Sequence, residues 1–534
     1  MNEEIAEYYE ELYRLYIDEN QPLERRYRQL RESLERVVRE RIQGNSLQTT
    51  DVAARINYVA TQYELDIKEQ NQLHTFRLTS NDILNHRKFP AKEEFLRDLR
   101  AVAFAYRKMF AQDIPLKLFS VLPKQEITSL GKKEKKEYIR RIRVCFDYAD
   151  DTYLYVHPVD IIADEPIRVV YNKPGINHEF EETIKELWRY AQLNLLDVFV
   201  DREGIYTPSF IVLEPDYLID ISSLAECYKD YGSHPANYFL SRLVPIDNAR
   251  PLLLGNIANL FLDEWIHAGE EEPDYIDCMK KAFRQYPIEL AACAELRDPS
   301  KEKEFAKDCR MHFEHIRDIV QHTFLEPGYN LDKKDAVLEP SYICEALGIQ
   351  GRLDYMQRDM SSFIEMKSGK ADEFSIQGKV EPKENNKVQM LLYMAVLQYS
   401  MGIDHRKVKA YLLYTRYPLL YPARASWAQV RRVINLRNRI VAAEYGVQFH
   451  NHSDFTRNLL AQINPEVMNE RKLRGKFWEQ YLKPSISRFR EKLSALEPLE
   501  QAYFYTLYNF ITKELYTSKS GDVDYEGRTG AASL

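Results

Sequence analysis

GRLDYMQRDMSSFIEMKSGK, residues 351–370, is the stretch on which the reading of this chain turns. Side chains alternate across a β-strand, so in FIEMK the carboxylate of Glu365 and the ammonium of Lys367 project to one side. Ile364 and Met366 project to the other, into apolar packing. If Gly351 to Met356 pairs as the neighbouring antiparallel strand, Asp354 arrives beside Glu365, and two hard oxygen donors face one point. That donor set suits Mg²⁺ or Mn²⁺, which prefer carboxylate, carbonyl and water ligands, and the backbone carbonyl of Met366 adds a further oxygen. Such an ion polarises a phosphate and acidifies a bound water, while Lys367 positions that water or neutralises charge growing on the phosphorus centre. The chemistry implied is phosphodiester hydrolysis. The same three residue types also fit an ordinary solvated strand face with cross-strand ion pairs, and in a long charged chain the D…ExK spacing alone arises by chance.

Outward from this stretch the pattern is regular. Ser368-Gly369-Lys370 ends the strand in a turn, and a strong helix follows over Asn385–Tyr399. Gln389 and Tyr393 lie one helical turn apart on that helix, with Asn386 on the same stripe, while Val388, Leu391, Leu392 and Val396 form the side that would pack on a sheet. Taken alone, a Gln/Tyr stripe is more often plain helix surface. A strand follows over Val408–Arg416. Before the quoted stretch, Ala336–Cys344, Gly348–Met356 and Ser362–Met366 read as short strands of a meander, and Ile219 to about His322 is almost all helical.

GRLD, then FIEMKSGK, then KVQMLLYMAVLQY resembles motifs II, III and the QxxxY helix of RecB-type PD-(D/E)xK nucleases, most closely the nuclease part of the DNA-replication helicase/nuclease family. Flanking segments agree. ISSLAECYKDYGSHPANYFLSRL resembles that family's entry helix and its Cys-Pro-x-x-Phe/Tyr turn, and LLLGNIANLFLDEW its G-x-x-x-H-x-x-x-E helix. VINLRNRIVAAE and PLEQAYFYTLYNFITKEL resemble the stretches that connect the nuclease to its helicase motor. The resemblance covers about residues 216–534. It implies a restriction-endonuclease-like α/β core with a large helical surround, metal ligation by Asp354 and Glu365, a catalytic Lys367, and support of the site or of DNA by Gln389, Tyr393 and Asn386. It also implies a strand Glu ahead of GRLD, a position that Glu339 matches, and a divalent Mg²⁺ or Mn²⁺ cofactor.

Two departures bear on what it implies. The family's helical His falls on Asn259, whose neutral amide is a weaker ligand. His267, eight residues on, lies about 12 Å further along the helix and is rotated by roughly 80°. Many relatives also hold an iron–sulfur cluster with one Cys before the core and three after it. Here Cys227 stands at the first place and no cysteine follows Cys344, so no cluster is expected. No G-x-x-x-x-G-K-[ST] occurs, so no ATP site is expected in this chain.

Composition bounds the rest. The 534 residues, 45% apolar and 29% charged with a net charge of −8, describe a globular chain of more than one domain, and any nucleic-acid path must be a local basic track on an acidic body. No run approaches the roughly 18 residues of a membrane span, and an acidic, Tyr-rich start is unlike a signal peptide, so a cytoplasmic protein without membrane partners is expected. The organisation read from the pattern is a helical arm (1–45), a mixed α/β region of unknown role (46–215) with helix over Glu93–Phe110 and β-rich runs such as Arg141–Val156, a nuclease domain (216–445) and a helical connector (446–534) towards a possible helicase module. Lys132–Arg143, Arg431–Arg439 and Arg471–Lys476 are basic runs that could meet phosphates or be solvated helix faces, with Arg437 in the second taken as a DNA contact. The leading expectation is a nuclease acting on single-stranded or flap DNA in repair or replication. Its alternatives are a DNA-binding scaffold of nuclease fold with weak or lost catalysis, and a helical interaction protein carrying a chance motif.

Overall fold

The computed structural model describes residues 3–42, 52–124, 137–163, 165–244, 249–329, 331–374, 379–450 and 453–520. The architecture is mixed α/β, and among the described residues no helix is long and apolar enough to cross a membrane. The chain divides into two compact units. One runs to Pro215 and includes the segments beginning at Val441 and Ile511; the other holds Asp216–Ile440 and the chain from His452 to Phe510.

The first unit begins with five helices: α1 (Glu3–Ile17), α2 (Leu23–Ile42), α3 (Val52–Gln62), α4 (Ile67–Leu84) and α5 (Lys92–Phe110). Pro22 separates the first two, and the Arg26 guanidinium donates to the carbonyls of Leu15 (2.7 Å) and Tyr16 (3.0 Å), satisfying acceptors that the end of α1 leaves open. The segment read as an arm is thereby folded back, and Tyr9, Leu12, Tyr27 and Leu30 enter one core with Phe76, Phe95 and Tyr106.

Six strands follow in the same unit: β1 (Tyr138–Ala149), β2 (Tyr153–Pro158), β3 (Ile167–Val170), β4 (Gln192–Val200), β5 (Tyr206–Thr207) and β6 (Phe210–Leu213). β1 pairs with both β2 and β4, β2 with β3, β4 with β5 and β6, and β3 meets β5 in parallel through Val169 and Tyr206. The pairings therefore close into a five-stranded ring, with β6 continuing the β5 edge. Ile142, Val144, Leu154, Val156, Val169, Leu193 and Leu195 are buried, and Phe180, in the helical turn between β3 and β4, packs on Phe210.

The second unit carries β7 (Ile219–Asp220), β8 (Ala336–Leu338), β9 (Ser341–Cys344), β10 (Ile349–Arg352), β11 (Tyr355–Gln357), β12 (Ser362–Lys367), a hairpin of β13 (Asp372–Phe374) and β14 (Lys379–Glu381), β15 (Lys409–Tyr414) and β16 (Leu419–Pro422). The meander expected from the pattern is broken twice. Glu339 takes a left-handed φ of 49° before Pro340, separating β8 from β9, and Leu353-Asp354 separates β10 from β11. Two sheets result: β7-β10-β9, and β16-β15-β12-β11-β8 with β12 and β15 parallel. Tyr355, Ile364, Met366 and Leu413 from the larger sheet share a core with Leu254, Ile257 and Phe261 of the Arg250–His267 helix and Phe313 and Ile316 of the Pro299–Gln321 helix. The Glu384–Met401 helix supplies Val388, Leu392 and Val396 to burial.

Arg437 ties the smaller sheet to the helix Trp427–Phe449. It is fully buried, and its guanidinium donates to the carbonyls of Gly348 (3.1 Å) and Tyr217. Gly348 has φ +64°, and a Cβ there would collide with the Arg437 guanidinium. Gly348→Ala is expected to cost about 1–3 kcal/mol, because it strains the backbone and displaces a buried charge from its carbonyls. Denaturant unfolding that matches wild type would show that the arginine moves aside freely.

Candidate functional site

The strand register brings the proposed carboxylates together. Tyr355 pairs with Ile364, which sets Asp354 opposite Glu365 at the point where β11 begins. Asp354 has left the ladder, and its Oδ2 accepts the Met366 amide at 2.6 Å. The N–H and C=O of one strand residue point to the same side, so the Met366 carbonyl lies on the edge that Asp354 occupies. Lys367 faces the other way along the backbone, its carbonyl accepting the Thr415 amide, while its Nζ donates to Glu365 Oε1 at 2.7 Å.

Glu365 is only 3% exposed, and Gln389 also donates to its Oε1 (2.6 Å). Its Oε2 is buried and has no hydrogen-bond partner among the described residues. An orphaned, buried carboxylate oxygen is costly and marks a place for a cation or a proton. Burial, then the nearby Asp354, pushes the Glu365 carboxyl up to about 8, and Asp354 is raised as well, again chiefly by burial. Burial works against the Lys367 ammonium, but Glu365 and Asp354 outweigh it and hold the lysine above its ordinary range.

The remaining candidates divide. Tyr393 donates to the Arg352 carbonyl at 2.6 Å, which fixes the end of β10 just before Asp354, and Asn386 donates to the Tyr414 hydroxyl at 2.6 Å. Both, like Gln389, are buried, so this stripe supports the site from beneath. Glu339 stands at the β8–β9 break, its amide bonded to the Asp354 carbonyl and its carboxylate 3.2 Å from Arg352. Arg437 is a correction: fully buried against backbone carbonyls, it has no surface with which to meet DNA. In the same basic run Arg431 is buried too, whereas Arg471, Lys472, Arg474 and Lys476 are exposed, Arg471 in an ion pair with Glu384. Of the Lys132–Arg143 run, residues 132–136 lie outside the described residues, and Arg140, Arg141 and Arg143 are on β1.

Asn259 is half-buried on the Arg250–His267 helix, and its neighbours on the stripe locate it. A Cβ on Gly255 would lie 3.4 Å from Ser368 Oγ, just past β12. One turn beyond Asn259, Asp263 is raised to about 6 by burial and by the charges of Glu339 and Asp354. Gly255 and Asp263, one turn to either side of Asn259, thus lie beside Ser368 and within the field of Glu339 and Asp354. Asp263 is the residue the sequence reading passed over, although it closes the same i, i+4, i+8 stripe. His267 is exposed, its Nδ1 within hydrogen-bond distance of the Asp263 carbonyl, one turn further on.

Among the described residues, no three His, Cys, Asp or Glu side chains converge into a ready-made cage. Two carboxylates and a carbonyl with the remainder water is a donor set for an ion that keeps its waters, as Mg²⁺ does. The buried Glu365 Oε2 fits such an ion. No protein-family model matches the sequence, and no curated protein matches it significantly.

The electrostatics give a stability test. A raised folded-state pKa favours the protonated folded state, so the contribution is complete below 4.5, the ordinary Glu value, and is lost as pH rises towards about 8. In chelator, wild type is expected to lose on the order of 3 kcal/mol between about pH 5 and pH 8, and Glu365→Gln to lose much less. Equal slopes for the two proteins would place the titrating group elsewhere.

Proposed function

We propose that the chain is a divalent-metal-dependent deoxyribonuclease of the PD-(D/E)xK type, with the β16-β15-β12-β11-β8 sheet as its core. The observation that carries this is the orphaned Glu365 Oε2, buried beside Asp354 and within two residues of a lysine bonded to the partner oxygen. A site decayed into a scaffold has no reason to retain a buried, repelling carboxylate pair, whereas a cation would relieve both.

Asp354, Glu365 and the Met366 carbonyl would hold the ion, which supplies phosphate polarisation and a more acidic water. This chain's own groups do the rest. Lys367 stays cationic and points its ammonium at the carboxylate that faces the reacting phosphate, where negative charge grows. Gln389 fixes the Glu365 rotamer, and Tyr393 fixes the backbone that delivers Asp354. The substrate class that this reading takes from the family resemblance is single-stranded or flap DNA, with a helicase module as the partner.

Lys367→Ala is expected to abolish cleavage of labelled single-stranded and flap DNA in Mg²⁺ or Mn²⁺ while leaving DNA binding intact, since binding energy comes from many phosphates. Cleavage at a near wild-type rate would rule the mechanism out. Asp354→Ala and Glu365→Ala should additionally weaken Mn²⁺ binding in calorimetry, and unchanged affinity in both would remove them as ligands.

Asn259→His tests the helix. An imidazole there should tighten Mn²⁺ binding and raise activity at limiting metal, because it is a better donor to a first-row ion than an amide. Superimposable Mn²⁺ titrations for the two proteins would mean that Asn259 does not face the ion.

A further inference from the structure

The five-stranded ring of the first unit carries a cluster of aromatic side chains on its outside. A β-bulge in β1 shifts the register between Phe146, opposite Val156, and Tyr148, opposite Tyr155. Without the extra residue, Tyr148 would share the inward face of Val144 and Phe146. With it, Tyr148 turns outward and stacks on Tyr155, ring centroids 4.3 Å apart and planes within 12°. Tyr153 stands two residues along on the same outer face, 6.5 Å from Tyr155, with the Arg168 guanidinium over its ring at 5.6 Å.

This surface is built and open. Tyr148 is 50% exposed although it is a large aromatic, and the stack is held by local ties: Asp150 accepts the Tyr155 hydroxyl at 3.0 Å and the amides of Thr152 and Tyr153. Arg168 pairs with the exposed Glu203, at 3.8 Å, on the turn between β4 and β5. Such a pair is worth little in water and exchanges readily for a phosphate.

A five-stranded Greek-key barrel, with a helical element between its third and fourth strands and the third and fifth parallel, is the OB architecture. Its ligands lie across strands two and three, between the β1–β2 and β4–β5 turns. The tyrosines and Arg168 occupy that face, and Asp150 and Glu203 lie on those turns. We propose that this face binds single-stranded nucleic acid, with a base continuing the Tyr148–Tyr155 stack, a second on Tyr153, and Arg168 meeting a phosphate. Unstacked bases offer flat π surfaces for the tyrosine rings together with an anion for the guanidinium. The β1–β2 turn carries Asp150 and Asp151, so stacking dominates and few phosphates are contacted. The site does not depend on the nuclease reading.

The test uses the full chain in EDTA, so that no metal-dependent cleavage intervenes. Fluorescein-labelled dT20 is followed by anisotropy, and a 5-iodouracil-substituted oligonucleotide is photo-crosslinked and its adducts mapped by mass spectrometry. Tyr148→Ala is expected to weaken dT20 binding about 5- to 150-fold, in line with about 1–3 kcal/mol per stacked base, and Tyr148→Phe, which keeps the ring, to restore it. Arg168→Ala should lower the slope of log affinity against log salt by about 0.7. Crosslinks should map to Tyr148, Tyr153 or Tyr155. Adducts confined to residues 216–440, or no oligonucleotide binding by wild type, would overturn the proposal. Crosslinks at the tyrosines in a protein that never cleaves DNA would uphold it and reject the nuclease reading instead.

Discussion

Two carboxylates facing each other across a strand pair, in a place where one of them is almost without solvent, is the constraint from which the second unit's details follow. Asp354 and Glu365 cannot both be charged there cheaply. The fold keeps them together by spending backbone and side-chain donors on them: the Met366 amide on Asp354, and Lys367 with Gln389 on one oxygen of Glu365. One oxygen is left over. The breaks at Glu339-Pro340 and Leu353-Asp354 serve the same end, since a continuous β10–β11 strand would hold Asp354 in the ladder and away from the Met366 amide. Tyr393 then pins the Arg352 carbonyl so that the break has one geometry.

What could be read from the chain follows the range of the interactions involved. The alternation of Ile364, Glu365, Met366 and Lys367 is local, as is the helical spacing of Gln389 and Tyr393, and the structure places these side chains as their periods require. The splitting of the meander was not legible, because it is decided by which distant strand each half joins, β7 and β9 for one and β8 and β12 for the other. Charge runs misled for the same reason. Nothing around Arg437 in sequence announces the carbonyls of Gly348 and Tyr217 that bury it. Asp263 differs, since it closes the stripe Gly255, Asn259, Asp263, whose four-residue spacing is local and carried by the sequence itself.

In the first unit the β-rich run Arg141–Val156 was visible, but ring closure depends on β1 finding β4 across some fifty residues and on the Val169–Tyr206 bridge. The bulge matters more than the closure. A strand that alternates strictly would bury Tyr148, so one inserted residue converts a core aromatic into a surface one. Local irregularity thereby does at Tyr148 what the strand break does at Asp354: it re-aims one side chain and leaves its neighbours in register.

The donor atoms along the Arg250–His267 helix carry the argument on metal preference furthest. On the nuclease reading that helix would offer the Asn259 amide oxygen and, one turn on, the Asp263 carboxylate, which lies within the field of Glu339 and Asp354. His267, a turn beyond Asp263, is exposed with its ring at the Asp263 carbonyl, so it brings no imidazole to that stripe. An all-oxygen set favours hard ions that retain water. On the nuclease reading, replacing an imidazole by Asn259 therefore changes which ion the site prefers more than whether it holds one, and Asp263 supplies the charge that the neutral amide does not.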